Sequence, residues 1–310
     1  MLMMCLILVD TAHQDIVQIL ENIPGITWKA RVYTKMLNRS AMLLNTSRDH
    51  ILQNNRNIIT KEFQNVASKK SPESWDWVQM NPDCVDVVSD KGHCFSSSQV
   101  SVANAFSDQR CIQSLDSVRQ EYSSQYMIDC NLQFSQCSKC SEGCDNEDSI
   151  NFISQIGTVL ESCVSYKSGK TGKTGKCPTK CDNGSDITLI KAYQKINICR
   201  QNKSYAQNEE AIKQALINGP VSTMIMVSED FLYYESGIYQ HLYGKEIGWN
   251  SCTIVGYGEE DGVQFWKVKN VWGREWGENG YFRILRGEPE NYKYYEGECQ
   301  IMFMCFQAQL

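Results

Sequence analysis

The sequence predicts an α+β fold that is held together by disulfide bonds. Residues 97–112 place Val100, Ala103 and Phe106 at helical spacing, so they form a helix with one apolar face. Residues 221–227 are a β-rich run that predicts a strand opening the second half of the chain. Fifteen cysteines among 310 residues are typical of proteins made in an oxidising compartment.

Length and composition are those of a globular protein. The chain could form one large domain or two small ones, with 42% hydrophobic and 21% charged residues. Its net charge of −6 argues against nucleic acid or an anionic membrane as the main partner. Cys5 stands alone before Cys84, after which the other cysteines follow. We therefore expect a cysteine-poor leader before a cross-linked body.

The first residues predict a targeting segment. Residues 1–9 (MLMMCLILV) are apolar like the core of a signal peptide but lack a positive start, so residues 1–12 are interpreted as a weak or truncated signal peptide. A buried N-terminal strand is the alternative, and the run is too short to span a bilayer. Residues 15–22 predict a short amphipathic helix, and residues 38–70 are polar and predict a linker.

A serine-rich turn opens the predicted helix over residues 97–112. The stretch from Asp90 reads DKGHCFSSSQ, with Gly92 and Cys94 in the turn, and Ser96 or Ser97 can cap the helix with its hydroxyl. From these residues alone, the segment is a capped core helix.

The same stretch resembles the active-site helix of the papain-family cysteine peptidases, in the cathepsin B branch. That family's pattern is Gln-Gly-x-Cys-Gly-Ser-Cys-Trp. Aligned without a gap, the oxyanion glutamine falls on Lys91, the disulfide cysteine on Cys94, the nucleophile on Ser97 and the tryptophan on Ser98.

The second half of the chain carries further motifs of that branch. Residues 237–258 match without a gap, and the family's catalytic histidine falls on Asn250. Residues 265–285 match the Asn-Ser-Trp-Gly block, in which Asn270 keeps the orienting position and Trp272 follows.

The resemblance implies a two-domain, papain-like α+β fold. A helical left domain and a β-barrel-like right domain would enclose a cleft between them. Residues 26–30 (ITWKA) resemble a segment of cathepsin B-type propeptides that lies along the cleft. The implied organisation is a propeptide and linker over residues 13–70 and a peptidase C1 domain over residues 71–310, with no cofactor.

The residues at the catalytic positions predict loss of hydrolysis. A papain-type site needs a thiolate and a histidine that accepts and returns the proton. Ser97 offers a much less acidic hydroxyl, and Asn250 cannot accept a proton near neutral pH. His93 is weighed as a substitute base against a simple position in a surface loop. Lys91 is weighed as the partner of a serine–lysine pair against a lysine that fills the old oxyanion site.

The predicted substrate cleft has changed as well. Glycines that let a peptide lie close in the family fall on Asn146 and Glu147, which adds side chains and a negative charge to that wall. Counting from Cys299, the acidic residue of the second specificity pocket falls on Met302, and Trp272 is also expected to line the cleft.

The cysteines have two interpretations before the family pattern is applied. The spacing of Cys130, Cys137, Cys140 and Cys144 would allow a zinc site, but a disulfide loop is favoured in an oxidising compartment, so no metal is predicted. The resemblance implies the following pairs: Cys84–Cys111, Cys94–Cys144, Cys130–Cys177, Cys163–Cys181 and Cys137–Cys140. It assigns no partner to Cys199, Cys252, Cys299 or Cys305.

Residues 165–176 (SYKSGKTGKTGK) form a lysine loop, with a lysine at every third position. A solvated flexible loop is the favoured interpretation, and a basic ligand patch is the alternative. The loop has no histidines where cathepsin B has a pair.

These observations predict a secreted or endomembrane, monomeric homologue of cathepsin B-like proteases that is not an enzyme. Its partners would be peptides, protease inhibitors or other proteins, bound through the cleft. The alternatives are an active hydrolase that uses Ser97 and Lys91, and a structural or storage protein. We expect it in the extracellular space or in a lysosomal or vacuolar lumen, without a membrane span.

Overall fold

A computed structural model of the chain describes residues 13–37, 61–62, 70–131, 139–287 and 296–310. The predicted signal peptide over residues 1–12 and most of the predicted linker over residues 38–70 lie outside the described residues. The described helices are α1 (residues 13–21), α2 (Thr34–Leu37), α3 (Trp77–Met80), α4 (Pro82–Val85), α5 (Ser97–Ile112), α6 (Ser124–Cys130), α7 (Lys139–Glu142), α8 (Asn146–Gln155), α9 (Ser168–Thr171) and α10 (Tyr205–Leu216). The strands are β1 (Trp28–Ala30), β2 (Lys61–Glu62), β3 (Trp75–Asp76), β4 (Gln194–Asn197), β5 (Val221–Ser228), β6 (Tyr234–Tyr239), β7 (Glu246–Glu260), β8 (Val263–Lys269), β9 (Tyr281–Leu285) and β10 (Phe306–Gln309), with 3-10 helices at Glu229–Tyr233 and Glu298–Gln300.

The helical half is built around α5, which we call the central helix. Its buried residues Val102, Ala103 and Phe106 pack in one cluster with Met127 of α6 and Phe152 of α8. The predicted helix over residues 97–112 is confirmed, and its apolar spacing accounts for this packing.

The predicted hydroxyl cap of the central helix is wrong. Ser96 is the N-cap residue, but its side chain makes no capping hydrogen bond. Its Oγ instead lies 2.6 Å from the Tyr166 hydroxyl, so the hydroxyl is engaged with a neighbouring loop.

The β half is a ten-stranded sheet whose strands run in the order β1-β6-β9-β8-β7-β5-β10-β4-β2, with β3 paired to β7 off that path. The predicted strand over residues 221–227 is confirmed as β5, which is buried along its whole length and pairs antiparallel with β7. The register places Ile225 opposite Asn250. Because β5 packs against the central helix, this part of β7 lies at the boundary between the two halves.

The leader segment, residues 13–37, docks on the edge of the sheet. Its strand β1 pairs antiparallel with β6, with Trp28 opposite Gly237. The Trp28 ring is buried, lies 5.1 Å from the ring of Tyr239, and donates its indole N–H to the Gln240 carbonyl at 3.0 Å. The leader segment thereby extends the sheet of the body by one strand.

Disulfides cross-link the body, and two of the implied pairs are corrected. The structure contains Cys84–Cys111, Cys130–Cys177 and Cys163–Cys181 as implied. It joins Cys94 to Cys140, not to Cys144, so the implied pairs Cys94–Cys144 and Cys137–Cys140 are both wrong. Several cysteines crowd this loop, and the Cα atoms of Cys94 and Cys140 approach to 4.5 Å, within disulfide range.

The other cysteines of the body are bonded, free or outside the described residues. Cys144 is disulfide-bonded, and Cys137 lies outside the described residues. Cys199 pairs with Cys305, which the sequence left unassigned. Cys252 and Cys299 are free thiols.

These bonds exclude the alternative zinc site. Cys130 and Cys140 both form disulfides, so they cannot supply thiolates to a metal.

In the described part of the chain, no helix is long and apolar enough to cross a membrane.

Candidate functional site

Ser97 is the first residue of the central helix and is fully buried. Its hydroxyl oxygen accepts a hydrogen bond from the backbone N–H of Ser251 at 3.2 Å. Ser251 belongs to β7, so this contact joins the two halves of the fold at the start of the central helix. The next residue, Ser98, faces the helical half and donates to the Asp145 carbonyl at 2.6 Å.

Asn250 and Asn270 lie together, as the motif spacing predicts. The Asn250 amide nitrogen donates to Asn270 Oδ1 at 3.0 Å, and Asn250 Oδ1 accepts from the Trp272 indole N–H at 3.1 Å. Asn270 Oδ1 also accepts from the backbone N–H of Val271 at 2.8 Å. Both ends of the Asn250 amide are therefore engaged away from Ser97.

Lys91 is fully buried beside this array. Its backbone N–H donates to the Val271 carbonyl at 2.9 Å, and its ammonium donates to the Cys94 carbonyl at 3.1 Å. Within the described residues, no hydrogen bond joins the Lys91 ammonium to the Ser97 hydroxyl.

His93, the candidate substitute base, and His241 both form hydrogen bonds with residues other than Ser97. His93 is exposed, and its backbone N–H donates to the Gly169 carbonyl at 2.8 Å. His241 Nδ1 lies 3.0 Å from a carboxylate oxygen of Asp230, which raises the pKa of His241. Neither imidazole makes a hydrogen bond to Ser97.

The predicted negative wall of the cleft is neutralised. The Glu147 carboxylate forms an ion pair with the ammonium of Lys195, whose side chain is buried because α8 packs against β4. Glu147 therefore contributes its negative charge as one half of an ion pair. Asn146 is fully buried and donates its side-chain amide to the Thr223 carbonyl of β5 at 2.7 Å.

Met302 and Trp272 are both part of the apolar core. Met302 is buried in the main cluster of the β half, where its methyl group lies near Gly297. Trp272 packs edge-on against Trp276, with ring centroids 4.8 Å apart. Of these two side chains, Trp272 borders the asparagine pair, because its indole N–H donates to Asn250.

A crevice of about 310 Å³ lies where the leader segment meets the two tryptophans. It is lined by residues 31–36 of the leader segment together with Trp272, Glu275 and Trp276. Lys35 closes one side of it with ion pairs to Asp90 and Glu275, each at 3.1 Å. The leader segment thus reaches the tryptophan that bonds Asn250.

The lysine loop is anchored to the body by hydrogen bonds, and its lysines are exposed, as the solvated-loop interpretation predicts. Residues 168–171 form α9, and the backbone N–H of Ser168 donates to Gln125 Oε1 at 2.9 Å. The backbone N–H of Gly175 donates to Asp129 Oδ1 at 2.6 Å. The loop is anchored by polar side chains of α6 that no local sequence pattern identifies.

Sequence reasoning missed several residues of the site. Ser251 contributes a backbone amide, which no side-chain motif can reveal. Tyr166 bonds both Ser96 and the Lys91 carbonyl, the latter at 2.7 Å, from a position distant in sequence.

Comparison with known proteins places the chain in a family. The sequence profile of the papain family cysteine proteases matches residues 71–307. The chain belongs to the papain family of cysteine proteases, and its similarity is to the cathepsin B-like members.

Two relatives and two solved structures show the extent of this similarity in sequence and in fold. Cathepsin B-like CP3 of Giardia intestinalis is 40% identical over 224 residues, which cover 71% of each chain. Cathepsin B-like CP2 of the same organism is 39% identical over 218 residues, 70% of this chain and 69% of the relative. Among solved structures, proCathepsin B S9 from Trypanosoma congolense has a TM-score of 0.77 at 23% identity and covers 95% of this chain and 97% of its own.

The proform of the ragweed pollen allergen Amb a 11, a cysteine protease, has a TM-score of 0.76 at 24% identity and covers 96% of this chain and 86% of its own. At this sequence identity, the similarity to the two structures is evidence for the fold alone. They confirm the predicted papain-like α+β fold.

Proposed function

We propose that this chain is a non-peptidase homologue of the cathepsin B-like cysteine proteases and that it acts by binding peptides or proteins through its cleft. One observation carries the proposal. The Asn250 amide donates to Asn270 and accepts from Trp272, so the position of the catalytic base holds a group that has no site for a proton.

The chemistry of Ser97 supports this assignment. A serine hydroxyl attacks a carbonyl only when a nearby base removes its proton. The helix N-terminus offers about half a positive charge, which is too little to ionise a hydroxyl at neutral pH. The hydroxyl accepts a hydrogen bond from the Ser251 amide, an N–H donor that cannot take a proton.

The serine–lysine alternative lacks the contact that it requires. A lysine base must lie within hydrogen-bond reach of the hydroxyl that it activates. The Lys91 ammonium donates to the Cys94 carbonyl, and the Ser97 hydroxyl bonds to the opposite half of the fold. We therefore assign Lys91 to holding the loop before the central helix.

Binding is favoured over a purely structural role by the crevice beside Trp272. On the body side the crevice is lined by Trp272, Glu275 and Trp276, and on the other side by residues 31–36 of the leader segment, so this surface of the body accommodates a peptide segment. A protein kept only for storage has no need of such an opening. We place residues 71–310 in the binding body and residues 13–70 in a propeptide-like leader. The disulfide network favours a secretory or endomembrane location.

Reversion of the two catalytic positions tests the proposal. Peptide turnover is measured for the natural chain, for Ser97→Cys, and for Ser97→Cys/Asn250→His, before and after limited proteolysis of the leader segment. We expect no turnover from the natural chain and measurable turnover from the double variant, because loss of a nucleophile–base unit costs about 10⁶ in turnover.

The matched control is Ser98→Cys/Asn250→His. It carries the same chemical groups, but the neighbouring residue faces the helical half, so it should stay inactive. Turnover by the natural chain that Ser97→Ala abolishes would contradict the proposal.

A further inference from the structure

The lysine loop presents a cationic face of three side chains. Lys170, Lys173 and Lys176 are exposed and form no ion pair within the described residues. Two flanking lysines differ, because Lys167 pairs with Asp182 and Lys180 pairs with Asp186. In a chain of net charge −6, this is a local concentration of uncompensated positive charge.

The backbone beneath these lysines is held in place. The Ser168 side chain is buried and donates to the Lys173 carbonyl at 2.7 Å, so it bridges the base of the loop. The hydroxyl of Thr174 accepts from the backbone N–H of Cys140 at 2.9 Å. A fixed backbone presents the three ammonium groups with less conformational entropy to lose on binding than a flexible chain would have.

The loop is also joined to the segment that leads into the central helix. The His93 N–H donates to the Gly169 carbonyl, and Gly92 packs so closely on Gly169 that a Cβ on Gly92 would lie 2.2 Å from that carbonyl oxygen. Tyr166, at the start of the loop, bonds the Lys91 carbonyl. The cationic face therefore lies beside the entrance to the helix that begins at Ser97.

We propose that Lys170, Lys173 and Lys176 bind carboxylates of an acidic peptide segment as it enters the cleft. The inference rests on the proposed function, since it names the class of peptide that the cleft takes. A peptide is favoured over an extended polyanion because, among the described residues, the face contains three unpaired lysines and is joined to the segment that leads into the central helix. Exposed ion pairs are individually weak and screened by salt, so the lysines would select acidic peptides and speed their encounter.

The test compares a short peptide of alternating glutamate and glycine with its glutamine analogue, by fluorescence anisotropy with the full chain. We expect the acidic peptide to bind more tightly at low salt and to lose that advantage at high salt. The variant Lys170→Gln/Lys173→Gln/Lys176→Gln should weaken binding of the acidic peptide about tenfold and leave the glutamine analogue unchanged.

The charge-matched control is Lys29→Gln/Lys203→Gln/Lys245→Gln, which removes three exposed lysines elsewhere and should bind like the natural chain. Equal binding of the two peptides, or unchanged binding by the loop variant, would overturn the inference and leave cleft binding standing. If neither peptide binds, both the inference and the proposed binding role fail. Binding of a sulfated polysaccharide or of anionic lipid vesicles without binding of the acidic peptide would also overturn it.

Discussion

Asn250 of β7 and Asn270, the residue that follows the end of β8, are joined by a side-chain hydrogen bond of 3.0 Å. The side-chain N–H of Asn250 donates to the amide oxygen of Asn270, and the Trp272 indole N–H donates to the amide oxygen of Asn250. All three side chains are buried, so each bond is protected from water. These bonds join β7 to the segment that follows β8 through the side chains of Asn250, Asn270 and Trp272.

Removal of the Asn250 side chain should therefore reduce stability. Asn250→Ala leaves the buried indole N–H of Trp272 without its acceptor, and an unpaired buried donor costs about 1–3 kcal/mol. We expect a loss of that size in the free energy of unfolding, measured by urea denaturation.

Asn202→Ala is the control for this measurement. Asn202 is exposed, and substitutions at such positions usually change stability by less than about 0.5 kcal/mol. Equal effects of the two substitutions would show that the amide array contributes nothing to stability.

The leader segment should loosen when Gly237 gains a side chain. A Cβ at Gly237 would lie 2.5 Å from the Thr27 carbonyl oxygen, so the paired strand β1 must move. Gly237 also has φ +97°, where a non-glycine residue costs about 1–2 kcal/mol. Gly237→Ala should speed proteolysis within residues 13–37.

The variant Gly262→Ala distinguishes the effect of backbone strain from the effect of a steric clash with the leader segment. Gly262 has φ +78°, but a Cβ there would meet nothing within 4 Å. It should cost stability through backbone strain without exposing the leader segment to protease. Equal cleavage rates in the two variants would contradict the docking described for Gly237.

The stability of the fold should fall as the pH rises through neutrality. Burial raises the pKa of Glu298 to about 7, above its ordinary value, so the folded state favours the protonated carboxyl. This contribution is fully present at low pH and is lost as the pH rises from the unfolded pKa to the folded one. His241 acts in the same direction, because Asp230 raises the pKa of the imidazole.

The expected total loss from Glu298 is about 3 kcal/mol, and it accumulates as the pH rises from about 4.5, the ordinary pKa of a glutamate, to about 7. Glu298→Gln keeps an acceptor for the His241 backbone N–H and removes the titration, so its unfolding free energy should depend less on pH. Burial likewise raises the pKa of Glu161 to about 7. Glu161→Gln should therefore reduce the pH dependence of the free energy of unfolding further, independently of Glu298. An unchanged slope in the double variant would contradict these assignments.

The bond between Cys199 and Cys305 should be a major contributor to stability. It joins residues 106 positions apart, and disulfides that close long loops stabilise by about 2–5 kcal/mol. Cys199→Ala and Cys305→Ala should each lower the free energy of unfolding by that amount under oxidising conditions.

A double-mutant cycle isolates the contribution of the bond. Either single substitution already removes it, so the double variant should be only slightly less stable than each single one. Additive losses would show that the two side chains act separately.

The sequence predicts the fold and which residues lie together at the site. It predicts less well which hydrogen bonds, ion pairs and disulfides those residues form. Ser97, Asn250, Asn270 and Trp272 lie together because they belong to motifs of fixed spacing on rigid elements. The resemblance implies the wrong partner for Cys94, because several cysteines lie close together in one loop and a sequence pattern does not distinguish between them.

Contacts between segments that are distant in sequence could not be predicted either. The ion pair of Glu147 with Lys195 and the anchoring of the lysine loop by Gln125 and Asp129 depend on how segments pack in three dimensions. No local periodicity or turn signal encodes such packing. These are also the contacts that distinguish the charge of this cleft from what its sequence suggests.

The central claim is that this papain fold holds no working nucleophile–base pair, and peptide turnover by the natural chain tests it most directly. The chain is assayed against a broad fluorogenic peptide library at acidic and neutral pH, with its leader segment intact and after proteolytic removal, beside Ser97→Ala. We predict that the natural chain and Ser97→Ala are indistinguishable from the uncatalysed rate. Turnover by the natural chain that disappears in Ser97→Ala would contradict the account and identify a working serine hydrolase.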